Sequence, residues 1–225
     1  MNKIAIIFMG LKRFASTTKP NHKKVVDILE QKYNIALYNF YRTDAISECP
    51  FAEPGKIQVY EFLTLVDKVQ EDIVIKIRSD LYFTDNAIDV LCQEIDNVIS
   101  NKNDVAYLGI DFLNDYNQTY KRENTKDVSK TTDFVIVARK SSLANTNDVL
   151  ENMKPVKGKS GNKTFLMILD TNTRAVKVSC QMYLVRKDYK SYDNWQIYYD
   201  WCTEYKKSEQ AQNWVKNNAA IIRSF

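Results

Sequence analysis

A chain of 225 residues, of which 44% are hydrophobic and 27% charged, is long enough to bury a substantial core and short enough to form one domain. Its 32 basic and 28 acidic residues give a net charge of +4, and the two signs are interspersed along the sequence. Because there is no basic stripe, we expect no nucleic-acid partner. No apolar run approaches the roughly 18 residues that cross a bilayer, so we also expect no membrane span.

The histidine and cysteine content narrows the chemistry further. His22 is the only histidine, which excludes a zinc site of the HExxH type, and its polar, lysine-bearing surroundings predict a solvent-exposed side chain. The cysteines form no Cys-x-x-Cys pair, which argues against a zinc knuckle or a disulfide framework and favours a reducing, cytoplasmic location. They are Cys49, Cys92, Cys180 and Cys202. Acid or base catalysis would therefore fall to Asp, Glu, Lys or Tyr.

The first part of the chain alternates between strand and helix patterns. Apolar and β-branched runs predict strands at 4–9, 35–41, 73–77, 105–110 and 134–138. Apolar residues at helical spacing predict helices at 25–29, 57–69 and 88–98, the last of them capped by Asp85. This alternation predicts an α/β fold with a central mixed, mainly parallel sheet flanked by helices.

The second part of the chain is less regular. Residues 114–132 are polar with neither period, which predicts a long loop. Residues 165–169 suit a short helix or strand, 176–185 alternate like a half-exposed strand, and an aromatic tail at 195–214 suits a helix. The last residues, 221–225, include no obvious polar tail, so the chain is compatible with a domain of a longer enzyme.

Residues that directly follow the predicted strands are candidates for ligand binding, because open α/β sheets bind ligands beyond the carboxyl ends of their strands. Arg78 and Asp80 flank Ser79 after the third predicted strand. An arginine there can face phosphate, and a carboxylate can hold a hard metal, so together they suit a metal-diphosphate group. Equally, Arg78 and Asp80 can pair with each other or cap the next helix, and the spacing leaves these alternatives open.

Other strand ends give weaker signals. Residues 10–13, Gly10-Leu11-Lys12-Arg13, can approach a nucleotide, although a glycine after a strand is also a common turn. Asp111 follows a strand and Asp133 precedes one, so either can serve as a general base or simply occupy a turn. The chain contains no Gly-x-Gly-x-x-Gly, which argues against NAD and FAD. Gly158-Lys159-Ser160 is not a P-loop, because Met153 stands where that motif needs a glycine.

The segment at 73–83, Ile-Val-Ile-Lys-Ile-Arg-Ser-Asp-Leu-Tyr-Phe, carries a family resemblance. It resembles the Lys-x-Arg-[Ser/Thr/Pro]-Asp-[Leu/Ile] block that replaces Asp-x-Asp in small GT-A-type glycosyltransferases of surface-polysaccharide synthesis. The resemblance extends to the first strand, to the helix with Lys56 and Gln58, and to Asp133-Phe134, and so covers roughly residues 1–140. Within that family the chain is most similar to amino-terminal glycosyltransferase domains of viral enzymes that glycosylate a capsid protein.

This resemblance implies a GT-A fold and a UDP-sugar donor such as UDP-glucose, with Mn²⁺ or Mg²⁺ bridging the donor diphosphate to Asp80. It implies that the donor is bound by Gly10, Leu11, Lys12, Arg13, Gln58, Arg78 and Ser79. The acceptor would be a glycan or a glycoprotein. If the reaction inverts configuration, Asp133 or Asp111 would deprotonate the acceptor hydroxyl. Residues 1–112 would form the half that binds the nucleotide-sugar, and residues 113–225 the acceptor half of the same domain.

One departure from the usual motif bears on the metal. With Arg78 in the first position, Asp80 is the only acidic residue of the triplet. We therefore expect metal binding to be weak, water-mediated or completed by a distant carboxylate such as Asp188. Two other functions remain open. A sugar nucleotidyltransferase would share the architecture, although its glycine-rich loop is missing. A noncatalytic sugar- or protein-binding module would use Arg78 and Asp80 only as a structural ion pair.

Overall fold

A computed structural model of the protein describes residues 3–42, 54–109, 120–124, 134–143, 173–180 and 182–184. Within these ranges the helices are α1 (Lys12–Glu30), α2 (Pro54–Lys68) and α3 (Asp85–Ile99). The strands are β1 (Lys3–Leu11), β2 (Asn34–Arg42), β3 (Ile73–Arg78), β4 (Leu81–Phe83), β5 (Val105–Gly109), β6 (Tyr120–Asn124), β7 (Val135–Arg139), β8 (Ala175–Cys180) and β9 (Met182–Leu184).

A seven-stranded sheet forms the centre of the fold, in the order β2-β1-β3-β7-β5-β8-β6. Strands β2, β1, β3, β5 and β8 run in one direction, and β7 and β6 run against them. Strands β4 and β9 pair separately in a small antiparallel sheet. The predicted α/β class, with a mixed and mainly parallel sheet flanked by helices, is therefore confirmed.

Helices cover both faces of the large sheet. On one face, α1 and α3 pack against Ile4, Ile6 and Phe8 of β1 and against alternate residues of the neighbouring strands. On the other face, α2 packs against Ala5 and Ile7 of the same strand. Because successive strand residues point to opposite faces, a strand buried on both sides has a continuous apolar sequence. This explains why the runs at 4–9 and 73–77 are good strand predictors.

Helix α1 is longer than the sequence predicted. The apolar pattern begins at Val25, whereas the helix begins at Lys12 and includes Pro20. A proline inside a helix lacks an N–H donor and is normally unfavourable, so local propensity gives little sign of this part of the helix. The described residues of this segment that are buried, Thr18, Asn21 and His22, are polar, and their partners lie about sixty positions later in the sequence.

Three other features differ from the sequence prediction. Residues Tyr120–Asn124 form strand β6 inside the predicted loop at 114–132, where they pair with β8. Helix α3 is capped by the side chain of Thr84, which accepts a hydrogen bond from the Ala87 N–H, and Asp85 is the first helical residue. Strand β4 was not predicted, and β9 lies within the single strand that was predicted at 176–185. The predicted elements at 165–169 and 195–214 lie outside the described residues.

The described helices include none that is long and apolar enough to cross a membrane. Cys92 and Cys180 are buried free thiols. Burial raises the pKa of both thiols, and that of Cys180 reaches about 12. These two cysteines are therefore core residues rather than nucleophiles.

Candidate functional site at the ends of strands β1 and β3

Strands β1 and β3 are parallel neighbours in the sheet, and their carboxyl ends lie side by side. Met9 pairs with Arg78, and the Ser79 N–H donates to the Met9 carbonyl at 2.8 Å. Gly10 has φ of +138°, a conformation that residues with a Cβ rarely adopt. A Cβ on Gly10 would also overlap the Ser79 hydroxyl oxygen. The sequence therefore needs glycine at position 10 for two independent reasons.

Arg78 and Asp80 form a bidentate ion pair at this edge of the sheet. The Arg78 Nε donates to Asp80 Oδ1 at 2.9 Å, and Nη2 donates to Oδ2 at 2.6 Å. The Arg78 side chain is 17% exposed and that of Asp80 is 6% exposed. The Arg78 guanidinium also lies 5.2 Å from the centroid of the Phe134 ring, within the range of a cation–π contact. Of the alternatives that the sequence left open, the structure has the two residues paired with each other.

The donor set of this edge can be tested for its fit to a divalent metal. Asp80 supplies one hard carboxylate, and Arg78 bonds both of its oxygens. Across the described ranges no group of three or more His, Cys, Asp or Glu is placed to hold a metal ion. Mg²⁺ in phosphate-transfer sites is commonly held by one or two carboxylates together with substrate phosphates and water. Once released by Arg78, Asp80 would fit a metal that shares its coordination with a phosphate-bearing ligand, and the described residues do not form a complete protein cage.

Helix α1 holds the backbone on both sides of Asp80. The Thr18 hydroxyl donates to the Ser79 carbonyl at 2.6 Å. The Asn21 side chain bonds both backbone groups of Phe83, donating to its carbonyl at 2.9 Å and accepting from its N–H at 2.7 Å. Both helix residues are buried. The polar stretch that follows β1 is therefore a structural support for residues 79–83.

His22 completes this polar face of α1. Its Nε2 lies 2.8 Å from the Leu81 carbonyl, which can only accept, so Nε2 carries the proton and Nδ1 is the unprotonated nitrogen. The ring stacks on Phe8 with centroids 4.7 Å apart, and the side chain is 4% exposed. Burial lowers the pKa of His22 to about 4, against the opposing effects of the Leu81 hydrogen bond and the Asp80 charge. The predicted solvent-exposed histidine is therefore wrong, because the helix turns this residue towards β4.

The structure brings together part of the predicted site. Gly10, Arg78, Ser79 and Asp80 are adjacent. Leu11 ends β1, Lys12 and Arg13 begin α1, and Gln58 lies near the start of α2, but the side chains of these four residues are not among those described. Asp111, Asp133 and Asp188 lie outside the described residues. Their roles remain predictions.

Thr18, Asn21 and His22 were not predicted as part of the site. Their spacing of three and four positions places them on one helix face, which continues into the apolar face at Val25 and Val26. A polar extension of an apolar helix face, next to a strand end, is the signal that could have identified them.

Substitution of Gly10 by alanine should destabilise the protein by about 2 kcal/mol, because it adds both backbone strain and an overlap with the Ser79 side chain. We expect Ser79→Ala to recover part of this loss in the double variant, since the hydroxyl oxygen is then gone while the positive φ of Gly10→Ala remains. Urea unfolding of both single variants and the double variant measures the coupling. A Gly10→Ala variant as stable as the wild type would contradict this interpretation.

His22 should make the protein less stable as the pH falls from about 7 to about 5. The pKa is about 4 in the folded protein and 6.5 in the unfolded chain, so the unfolded state takes up the proton first. Stability that is complete above the unfolded value is lost progressively towards the folded value, by about 2 kcal/mol over this interval. Urea unfolding at both pH values, compared with His22→Gln, measures the effect. The same pH dependence in both proteins would refute it, and the single histidine NMR signal reports the titration directly.

Comparison with known proteins finds only distant similarity. No protein-family model matches the chain, and no curated protein matches it. Similar solved structures include a glycosyltransferase involved in the glycosylation of the major capsid of PBCV-1, with 15% identity, a TM-score of 0.48, and 77% of this chain and 81% of that chain covered. The glycosyltransferase GlyE of Streptococcus pneumoniae has 12% identity, a TM-score of 0.44, and coverage of 91% and 50%. Mannose-1-phosphate geranyltransferase of Thermus thermophilus has 10% identity, a TM-score of 0.40, and coverage of 81% and 75%. At these identities and TM-scores, the similarity assigns no function to this chain.

Proposed function

We propose that this protein is a GT-A-type glycosyltransferase that moves a sugar from a nucleotide-sugar donor to a glycan or glycoprotein acceptor. The donor is a UDP-sugar such as UDP-glucose, and Asp80 would hold a Mn²⁺ or Mg²⁺ ion that offsets the charge of the donor diphosphate. The observation that carries this proposal is the Arg78–Asp80 pair at the carboxyl end of β3. It lies within a sequence block that resembles the donor-binding block of this family.

The location of the pair supports donor binding. Ligands of open α/β sheets bind beyond the carboxyl ends of the strands, and β1 and β3 both end here. Gly10 lies at this edge and leaves room for Ser79, whose hydroxyl oxygen a Cβ on Gly10 would overlap. By the family resemblance, Leu11, Lys12, Arg13, Gln58 and Ser79 complete the donor site.

Different residues act on the two reacting groups, the leaving diphosphate of the donor and the hydroxyl of the acceptor. A divalent metal, when bound, offsets the charge that develops on the leaving diphosphate. Arg78 contributes a second positive charge, and its planar guanidinium suits two phosphate oxygens. Asp133 or Asp111 deprotonates the acceptor hydroxyl if the reaction inverts. A retaining reaction needs neither base.

The ion pair also bears on the order of binding. Arg78 bonds both oxygens of Asp80, and both side chains are largely buried, so removing one partner leaves an uncompensated charge. Arg78 can release Asp80 at low cost only when another anion replaces the carboxylate. A diphosphate provides that anion, so metal and nucleotide should bind together more tightly than either binds alone.

Asp80→Asn tests the proposed function, because it keeps the shape of the side chain and removes its charge. We expect metal-dependent hydrolysis of UDP-glucose to fall by about 100-fold or more. The variant should also be less stable, because the Arg78 charge loses its partner, so circular dichroism is used to check that the assayed protein is folded. Asp27→Asn is the matched control, since Asp27 lies exposed on α1 and pairs only with Lys23 in the contacts described. Unchanged turnover in Asp80→Asn would sink the proposal, and a screen of UDP-, GDP- and dTDP-sugars identifies the donor.

Replacement of Arg78 by glutamine should have opposite effects on the binding of Mn²⁺ alone and on the binding of Mn²⁺ with UDP. We expect Arg78→Gln to bind Mn²⁺ alone about 10-fold more tightly, because Asp80 is freed, and to bind Mn²⁺ with UDP more weakly, because a phosphate contact is lost. Titration calorimetry and the Mn²⁺ electron paramagnetic resonance signal measure both affinities. Arg174→Gln is the control, since it breaks a bidentate pair with Asp104 at the opposite end of the sheet. Parallel changes in the two affinities would contradict the exchange.

One observation also favours the noncatalytic module. The charges of Arg78 and Asp80 satisfy each other, as a purely structural pair would. Calorimetry distinguishes the two functions, because a module of this kind binds no UDP-sugar with or without Mn²⁺. A sugar nucleotidyltransferase would instead release pyrophosphate from a nucleoside triphosphate and a sugar phosphate.

We also propose a cytoplasmic location, with which the free thiols of Cys92 and Cys180 are consistent.

A further inference from the structure

We propose that Thr18, Asn21 and His22 are positioning residues for the site, holding the backbone on both sides of Asp80 so that its carboxylate meets the metal-diphosphate ligand. This inference rests on the proposed function. It concerns residues of α1 that have no place in the donor-binding block. The three side chains, with their hydrogen bonds to residues 79–83, are called the α1 clamp below.

The α1 clamp acts on the peptide groups next to Asp80. Thr18 holds the Ser79 carbonyl at 2.6 Å, on the amino-terminal side of Asp80. His22 holds the Leu81 carbonyl at 2.8 Å, on the carboxyl-terminal side. Because both flanking carbonyls are bonded, the backbone that carries Asp80 has little freedom to shift along or rotate about the chain. The position of the carboxylate then depends on α1 as well as on β3.

The segment after Asp80 depends on the α1 clamp because it lies outside the large sheet. Strand β4 has three residues and pairs with β9. The backbone groups of Leu81 and Phe83 that bond α1 lie on an edge of β4 where side chains take the place of a neighbouring strand. Asn21 shows this most directly, since its amide both donates to and accepts from Phe83, as a paired peptide group does in a sheet.

The burial of the α1 clamp is unusual for a helix that only covers a sheet. Thr18 is 0% exposed, Asn21 7% and His22 4%, and the next turns of the same face carry the apolar residues Val25, Val26 and Leu29. Buried polar groups cost free energy unless they are fully bonded, and the Nδ1 atom of His22 has no partner among the described residues. Apolar side chains would cover the sheet without that cost but could not fix the two carbonyls.

Thr18→Val tests the inference, because it removes the hydroxyl donor and nearly keeps the shape of the side chain. We expect the dissociation constant of the Mn²⁺–UDP complex to rise about 10-fold, since small displacements in a binding site are costly. Thr18→Ser keeps the donor and should restore most of the affinity. The electron paramagnetic resonance spectrum of bound Mn²⁺ should broaden in Thr18→Val, which reports a less well-defined site.

Val26→Ala is the matched control for stability. Val26 is a buried residue of the same helix, and its truncation destabilises the protein without removing a hydrogen bond to residues 79–83. We expect it to bind Mn²⁺–UDP as the wild type does. Equal weakening in Val26→Ala and Thr18→Val would show that affinity merely follows stability and would overturn the inference. If Thr18→Val fails to fold, His22→Phe is compared with His22→Gln, which retains an N–H donor for the Leu81 carbonyl. The dissociation constant of the Mn²⁺–UDP complex should then be about 10-fold higher in His22→Phe than in His22→Gln.

The failure of this inference can be told apart from the failure of the proposed function. If Asp80→Asn abolishes Mn²⁺–UDP binding while Thr18→Val binds as the wild type does, the α1 clamp has no positioning role and the proposed function stands. If the folded wild type does not bind Mn²⁺–UDP, both fall. Loss of affinity in Thr18→Val, recovery in Thr18→Ser and no effect in Val26→Ala together support the inference.

Discussion

The bidentate contact between Arg78 and Asp80 is the interaction on which the candidate site depends. Two opposite charges with little exposure to solvent are tolerated only when they are paired and well bonded, because each has lost its hydration. Their spacing of two positions would place them on the same face of a regular strand, but β3 ends at Arg78. The turn that follows lets the carboxylate of Asp80 meet the guanidinium, and Gly10 leaves the space that this turn requires.

The turn is held from three directions, which explains why distant parts of the sequence matter to it. β1 contributes the Met9 carbonyl for the Ser79 N–H, and Phe134, just before β7, accepts from the Arg78 N–H and places its ring by the guanidinium. Helix α1 is the third support, and its side chains form hydrogen bonds with the backbone of residues 79–83. A site supported by elements far apart in sequence is defined by the tertiary structure, so local propensity alone could not specify it.

The predictions from sequence are correct where burial produces a regular apolar pattern. The apolar runs of β1 and β3 predicted buried strands and correctly placed residues 78–80 at a strand end. The predictions are wrong where polar residues form the structural element. Strand β6, Tyr-Lys-Arg-Glu-Asn, has no apolar alternation, and its pairing with β8 comes from backbone hydrogen bonds that leave no mark on side-chain choice. His22 was misplaced for a related reason, since its polar neighbours in sequence do not show which face of a helix is buried.

The choice between an ion pair and a metal ligand could not be made from the spacing of Arg78 and Asp80, because both arrangements need the same residues. Charge balance indicates how the two can be reconciled. The pair is neutral, and a nucleotide-sugar diphosphate with about two negative charges is neutral together with one divalent metal. If Arg78 exchanges its carboxylate for phosphate while the metal takes Asp80, every charge is still opposed and the net charge of the site is unchanged. The ion pair and the proposed donor complex then have the same net charge, and the low exposure of both side chains favours exchange in one concerted event over separate binding of either ligand.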